Sequence, residues 1–172
     1  MENKNIRERE EIHKAIWSIA DDLRGSVDGW DFKQYILGMM FYRYISENIT
    51  NYINEGEKKA GDANFDYAKL KDEEAETIRK EMVNEKGFFI LPSELFANVC
   101  KKAKDDENLN ETLERIFNNI ENSAKGAESE EDFAGLFDDI DVNSNKLGAT
   151  VAKRNDKLVK ILDGIANIPL GN

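Results

Sequence analysis

The stretch "DFKQYILGMMFYRYISENITNYIN", residues 31–54, is the most apolar part of a chain that is highly charged elsewhere. At 100° per residue, a helix drawn through it has one continuous apolar face, made of Phe32, Tyr35, Ile36, Met39, Tyr42 and Ile53. A second apolar set covers roughly the opposite face and consists of Trp30, Leu37, Phe41 and Tyr44. A helix that is apolar nearly all round is normally buried. The stretch therefore predicts a buried central helix over about residues 32–54, with the other helices packed around it.

Apolar residues recur at steps of three and four along the rest of the 172-residue chain, which has only two prolines. This spacing is typical of amphipathic helices and predicts an all-α fold. The further predicted helices cover about residues 5–23, 72–84, 92–104, 110–122, a short helix ending near 137, and 145–168. The last of these could break near Asn155. Because there are no internal repeats and no clear boundary, residues 1–172 are expected to form a single helical domain.

Turn-forming residues and prolines set the expected connections between these helices. Gly25 fits the end of the first helix, and Asp28 is a good N-cap for the central one. Residues 55–69 are polar and are expected to form a connection. The stretch "GFFILPSELF", residues 87–96, is expected to be extended before Pro92, because the residue preceding a proline disfavours the α conformation. Pro92 itself suits the first turn of the following helix.

The composition excludes several classes of protein. A chain with 40% hydrophobic and 34% charged residues is typical of a water-soluble domain. No apolar run approaches the roughly 20 residues needed to span a bilayer, and the charged N-terminus lacks the apolar run of a signal peptide. Cys100 and His13 are the only residues of their types, which argues against a disulfide framework and a zinc site. We therefore expect a cytoplasmic protein with no membrane or metal partner.

The charges are unevenly distributed along the chain. The net charge is −11, which taken alone argues against nucleic-acid binding. Residues 105–142 carry 13 acidic and only 2 basic side chains, whereas residues 143–172 carry 5 basic and 2 acidic ones. A protein with a local acidic segment and a basic end can still approach DNA with part of its surface.

Catalytic motifs are absent from the sequence. Gly25, Gly29 and Gly38 flank or interrupt helices and do not form the strand–loop–helix motif that binds nucleotide cofactors. Neither proline lies in an Asn/Asp-Pro-Pro-aromatic loop, which amino-methylating enzymes use. Cys100, followed by two lysines, could have a lowered pKa, but there is no other histidine beside exposed-looking His13 to pair with it. We expect no catalytic, cofactor-binding or metal-binding residues in this chain.

Three separated stretches carry a resemblance to a known family. They are "IWSIADDLRGSVDGWDFKQYILGMMFYRYISENI" (16–49), "FILPSELF" (89–96) and "LFDDIDVNSNKLGATVAKRNDKLVKIL" (136–162). In this order they resemble the N-terminal part of the methyltransferase (M, HsdM) subunit of type I restriction-modification systems. The resemblance covers about residues 12–168.

The resemblance implies a DNA-clamping and subunit-contact domain of a DNA adenine-N6 methyltransferase subunit. The full-length subunit would be the enzyme, and its S-adenosylmethionine would be bound by a downstream domain that this chain lacks. The implied partners are duplex DNA, the specificity (S) subunit, a second M subunit and the restriction (R) subunit. The base that is methylated would be flipped out of the duplex.

Six basic residues are candidates for DNA contact. Lys146, Lys153, Lys157 and Lys160 fall within roughly 60° of each other if residues 145–168 form one continuous helix, and a basic track of this kind suits phosphate contact. A solvated face, or pairing with the acidic residues of 128–141, is the slightly favoured interpretation, and DNA contact is the alternative. Arg43 lies on the apolar face of the central helix, where an internal ion pair is the favoured interpretation and phosphate contact the alternative. Arg24 is expected to stack on Trp17 and fix the turn between the first two helices, with DNA contact as the alternative.

A different class of function also fits the sequence. The chain could be a stand-alone helical adaptor without enzymatic activity, which uses the acidic segment 105–142 to bind another protein. The reading frame downstream of Asn172 would separate the two hypotheses. A continuation with a glycine-rich loop and an Asn-Pro-Pro-aromatic motif is expected under the first hypothesis, and an immediate stop under the second.

Overall fold

The computed structural model describes the backbone of residues 2–22 and 29–169, and the side chains of 6, 7, 9–19 and 33–169. Within these ranges the chain forms α-helices and short 3₁₀ turns, and no β-strand. The α-helices are α1 (Glu2–Asp22), α2 (Gly29–Lys59), α3 (Asp72–Ala75), α4 (Arg79–Lys86), α5 (Phe96–Lys102), α6 (Leu109–Ser123), α7 (Glu130–Phe133) and α8 (Val151–Ala166). The all-α prediction is confirmed. None of the described helices is long and apolar enough to cross a membrane.

The inner face of α2 lies in the middle of the hydrophobic core. Met39, Tyr42 and Ile49 on this face are completely buried, and α2 packs against α8 and α5. The ring of Tyr42 meets those of Phe96 and Phe117 edge-on, each with centroids 5.5 Å apart, and its hydroxyl donates a hydrogen bond to the backbone oxygen of Glu94. One tyrosine thus joins α2 to α5 and α6.

The outer face of α2 differs from the prediction. Leu37 is 56% exposed and Tyr44 is 59% exposed, while Phe41 is half-buried. The expectation of burial on both faces is therefore wrong for the second face; the side chains of Trp30 and Phe32 lie outside the described residues. The helix also continues to Lys59, into the segment that was expected to be a connection, because Glu and Lys favour helix and lysines in the last turn suit the helix dipole.

The region between α2 and α5 is more broken than predicted. The expected helix over 72–84 is divided into α3 and α4 by a 3₁₀ turn at Glu76–Ile78, and α4 ends at Gly87, whose φ of 88° favours glycine. Residues 87–91 have no regular structure. Pro92 opens a 3₁₀ turn rather than an α-helix, and α5 begins only at Phe96, because Leu95 is extended.

The last helix is also shorter and more regular than predicted. Residues 134–150 form turns, α8 begins at Val151, and it runs without a break through Asn155. The start at 145 and the break near Asn155 are therefore wrong. Thr150 caps the helix, because its Oγ1 accepts a hydrogen bond from the Lys153 amide at 3.2 Å.

Helix α8 shares the central position with α2. Leu158, Ile161, Leu162 and Ile165 are completely buried, and α8 packs against α1, α2, α5 and α6. The contact with α1 is close, since a Cβ on Gly164 would lie 2.4 Å from Ile19. Two helices rather than one therefore form the centre of the fold.

Candidate nucleic-acid interface

Four of the predicted DNA-contacting lysines surround one surface cavity near the start of α8. The cavity has a volume of about 450 Å³ and is lined by Asn145, Lys146, Leu147, Gly148, Lys153, Asp156, Lys157 and Lys160. We call it the lysine cavity. The sequence pattern predicts that all four lysines lie on one helix, but Lys146 lies in the turn before α8. The structure brings them together by folding that turn over the first turn of the helix.

Arg154 holds the turn in place, a role that sequence reasoning did not assign. Its Nη1 donates hydrogen bonds to the backbone oxygen of Gly148 at 3.2 Å and to Oδ1 of Asn145 at 3.3 Å. Gly148 approaches α8 so closely that an added Cβ would lie 2.7 Å from Cβ of Lys153. No side chain larger than hydrogen fits there without a shift. The glycine and the arginine together fix the position of Lys146 relative to α8.

The lysine cavity is basic. Four lysines and a single acidic residue, Asp156, line it, and the N-terminus of α8 adds the positive end of its dipole. Among the described residues, Lys153, Lys157 and Lys160 form no ion pair, so pairing with the acidic residues of 128–141 does not occupy them. A basic concavity of this kind can hold a phosphate group, because phosphate contact requires cationic donors and no particular base.

Arg43 lies at the other end of α8 and is engaged within the domain. Its Nε donates to Oε1 of Glu47 at 2.8 Å, and its Nη1 donates to the backbone oxygens of Ile165 and Ile168 at 2.7 Å each. The predicted ion pair is present, although Glu47 is half-exposed rather than internal. Ile165 lies in the last turn of α8 and Ile168 lies two residues beyond the helix, so Arg43 caps the end of α8 and ties it to α2. Arg43 does not line the lysine cavity.

Arg24 lies outside the described residues, so its stacking on Trp17 stays a prediction. Trp17 itself is 67% exposed.

Nucleophilic chemistry finds no support at Cys100. Burial raises the pKa of the thiol to about 12, with a further rise from Asp163 and a smaller opposing effect of Arg43. The lowered pKa considered from the sequence is therefore wrong, because burial dominates and the two lysines that follow are exposed. In the described part of the chain, no group of three or more His, Cys, Asp or Glu side chains is placed to hold a metal ion.

These features define an all-α domain whose distinctive surface is a cluster of lysines around a shallow cavity. The model of the HsdM N-terminal domain family matches residues 12–165, and the chain belongs to this family. It is 43% identical over 99% of its length to a type I restriction enzyme methylase subunit, MpnII, of Mycoplasma pneumoniae. It is also similar to the crystal structure of a type I restriction-modification methyltransferase subunit from Streptococcus thermophilus, with a TM-score of 0.73 and 28% identity over 91% of the chain. The chain spans 32% and 34% of the length of these two relatives.

Proposed function

We propose that this chain is the DNA-clamping and subunit-contact domain of a type I restriction-modification methyltransferase subunit that methylates adenine N6. Membership of the HsdM N-terminal domain family and the two methylase-subunit relatives support this proposal. In it, S-adenosylmethionine is bound by another domain of the full-length subunit. Its partners are duplex DNA, the S subunit, a second M subunit and the R subunit.

The lysine cavity carries the DNA-contact part of the proposal. Lys153, Lys157 and Lys160 line one concavity and form no ion pair among the described residues, so their charges are available to a phosphate backbone. Because they would contact phosphates rather than bases, they would add affinity for every sequence and leave target choice to the S subunit. The net charge of −11 means that the domain needs the rest of the complex to bring this surface to DNA.

The test replaces Lys153, Lys157 and Lys160 together with glutamine in the assembled complex. We expect weaker binding to cognate and random duplexes alike. The plot of log affinity against log salt should become less steep, by the equivalent of up to about three phosphate contacts. Each contact contributes roughly 0.9 to the magnitude of the slope. Affinity is measured across a salt series on both duplexes.

The matched control replaces Lys59, Lys80 and Lys125 with glutamine. These three lysines are exposed, so their replacement removes the same amount of charge from another part of the surface. If both triple variants change the slope equally, the effect is one of net charge and the lysine cavity does not contact DNA. An unchanged slope in the first variant leads to the same conclusion.

The adaptor function remains the second candidate, and one observation favours it. The acidic residues of segment 128–141 are mostly exposed, with Glu128, Glu130, Glu131, Asp132, Asp138, Asp139 and Asp141 all facing solvent. A protein-binding role for this region is compatible with DNA contact at the lysine cavity, because the two surfaces share no residue.

A further inference from the structure

Lys153, in the first turn of α8, is held by the turn that precedes the helix. Its backbone amide donates a hydrogen bond to Oγ1 of Thr150 at 3.2 Å. A Cβ on Gly148 would lie 2.7 Å from Cβ of Lys153 and 3.0 Å from the backbone nitrogen of Arg154. The backbone of the turn therefore lies directly against the stem of Lys153. The amide and the stem of this lysine both have a fixed position, although the residue as a whole is exposed.

Arg154 keeps the turn in that place. Its Nη1 donates hydrogen bonds to the backbone oxygen of Gly148 at 3.2 Å and to Oδ1 of Asn145 at 3.3 Å. It forms no ion pair within the described residues, and its Nε is buried there without a hydrogen-bond partner. A buried donor without a partner costs stability. The hydrogen bonds of the Arg154 side chain thus go to the turn, and the guanidinium is not arranged to stabilise the domain as much as it can.

Asp156 lines the same cavity and lies three residues after Lys153. Side chains of opposite charge pair readily at this spacing on a helix. In the part of the chain that the structure describes, Lys153 and Asp156 nevertheless form no ion pair. Such a pair would remove one positive charge from those that the lysine cavity offers to a phosphate.

We propose that Gly148 and Arg154 are positioning residues for the DNA contact. They hold the turn against Lys153, which keeps this lysine from pairing with Asp156 and leaves its charge available for a DNA phosphate. Neither positioning residue has to touch DNA. A side chain that is already held in place loses less conformational entropy on binding, so the contact that it makes is stronger. This inference rests on the proposed contact between the lysine cavity and DNA, and it names residues that this contact requires besides the lysines.

Gly148→Ala tests the proposal without a change of charge. The added methyl group would meet Cβ of Lys153 and the backbone of α8, so the turn has to move away from the helix. We expect the assembled complex to bind cognate and random duplexes more weakly. The plot of log affinity against log salt should become less steep by about 0.9, the contribution of one phosphate contact. An unchanged slope would overturn the proposal, whereas a purely structural defect would lower thermal stability without removing a phosphate contact.

Arg154→Lys is a second variant that keeps the charge. A lysine ammonium lacks the planar array of donors of a guanidinium, so the turn is held less firmly and the slope should fall in the same direction. One control is Gly56→Ala, because nothing lies within 4 Å of the added Cβ. The other is Arg7→Lys, at an exposed position of α1. If the controls change the slope as much as the test variants do, the turn has no special role. If one test variant does not fold, the other decides.

Asp156→Asn identifies the cause of the effect. In a chain that carries this substitution, Lys153 has no carboxylate three residues further on, so adding Gly148→Ala should leave the slope almost unchanged. A fall as large as in the unchanged protein would contradict the proposal, because Lys153 would then not be lost to Asp156.

The triple lysine variant separates this inference from the proposed function. If the triple variant lowers the slope and Gly148→Ala does not, the positioning role fails and the DNA contact stands. If the triple variant leaves the slope unchanged, the DNA contact itself fails, and the positioning role fails with it.

Discussion

The side chain of Asn155 lies in the middle of α8 but binds the first turn of α6. Its Oδ1 accepts a hydrogen bond from the Asn110 amide at 3.0 Å, and its Nδ2 donates to the backbone oxygen of Glu107 at 2.9 Å. The first amides of a helix have no partner within the helix, and α6 has no capping side chain of its own at Asn108. A residue 45 positions away in the sequence therefore supplies the cap.

Replacing Asn155 with alanine should lower the free energy of unfolding by about 1–3 kcal/mol, because it leaves the buried Asn110 amide without its partner and removes the hydrogen bond to the Glu107 carbonyl. Chemical denaturation measures the change. Asn118→Ala is the matched control: this asparagine is exposed on α6, and its replacement should change the stability by no more than about 0.5 kcal/mol. A similar small effect at Asn155 would mean that water replaces its hydrogen bonds.

Glu94 is buried, and its ionisation is linked to folding. Burial raises the pKa of its carboxyl, while the hydrogen bond from Asn119 and the charge of Arg115 act in the opposite direction. Since the folded-state pKa is raised, the folded protein holds the proton more tightly than the unfolded chain. The stabilisation is therefore present at low pH and is lost as the pH rises through the folded-state pKa.

The Glu94→Gln variant removes this titration and keeps a side-chain oxygen for Asn119. The stability of the unchanged protein should fall relative to the variant as the pH rises from about 4.3, the usual pKa of glutamate. Denaturation at a series of pH values gives the difference directly. A stability difference at position 94 that does not change with pH would contradict the assignment.

At the scale of the element, α2 has one buried face and one exposed face. Ile49→Ala on the inner face should cost about 2–5 kcal/mol of unfolding free energy, as buried isoleucines do. Leu37→Ala on the outer face should change it by no more than about 0.5 kcal/mol. If Phe41 were fully buried, as the sequence predicts, Phe41→Ala would lower the free energy of unfolding by about 3–5 kcal/mol. Because Phe41 is only half-buried, we expect a loss between those of Leu37→Ala and Ile49→Ala. Equal losses at 37 and 49 would mean that α2 is covered on both sides.

The same helix shows what sequence periodicity predicts and what it misses. The three- and four-residue spacing predicts the inner apolar stripe of α2, because that spacing follows from helix geometry alone. The exposure of Leu37 and Tyr44 could not be read in this way, since it depends on where segment 137–141 packs. A sequence shows which side chains are apolar, and only the packing shows which of them find a partner.

The sequence predicts the grouping of the four lysines, but for a partly wrong reason, and it does not predict the cavity. Lys153, Lys157 and Lys160 share a helix face, as the spacing indicated, but Lys146 joins them through a turn that Arg154 and Gly148 hold in place. That turn depends on a hydrogen bond between a side chain and a backbone oxygen six positions earlier, for which no sequence pattern exists. The capping of α6 by Asn155 also depends on a side-chain hydrogen bond to a distant part of the backbone. Because the Asn155 side chain bonds to Asn110 and Glu107 rather than to the backbone of its own helix, it does not interrupt α8.

At the scale of the whole molecule, the isolated chain is expected to bind neither S-adenosylmethionine nor its demethylated product. The sequence contains no glycine-rich turn between a strand and a helix, which is where such cofactors find backbone amides. Isothermal titration calorimetry on the 172-residue chain tests this, with the full-length subunit as the positive control. Saturable binding at micromolar affinity by the short chain would contradict the proposed division of labour between domains.

The contact between α1 and α8 has a consequence for how the protein is made. Ile19 and Gly164 touch, so the two ends of the described chain complete the same core. During synthesis, α2 leaves the ribosome more than a hundred residues before the helix that covers its inner face. Contacts between residues this distant in sequence form slowly. Until they form, the exposed inner face of α2 is prone to aggregate. The inner face of α2 is therefore covered only after α8 has been synthesised and has packed against it.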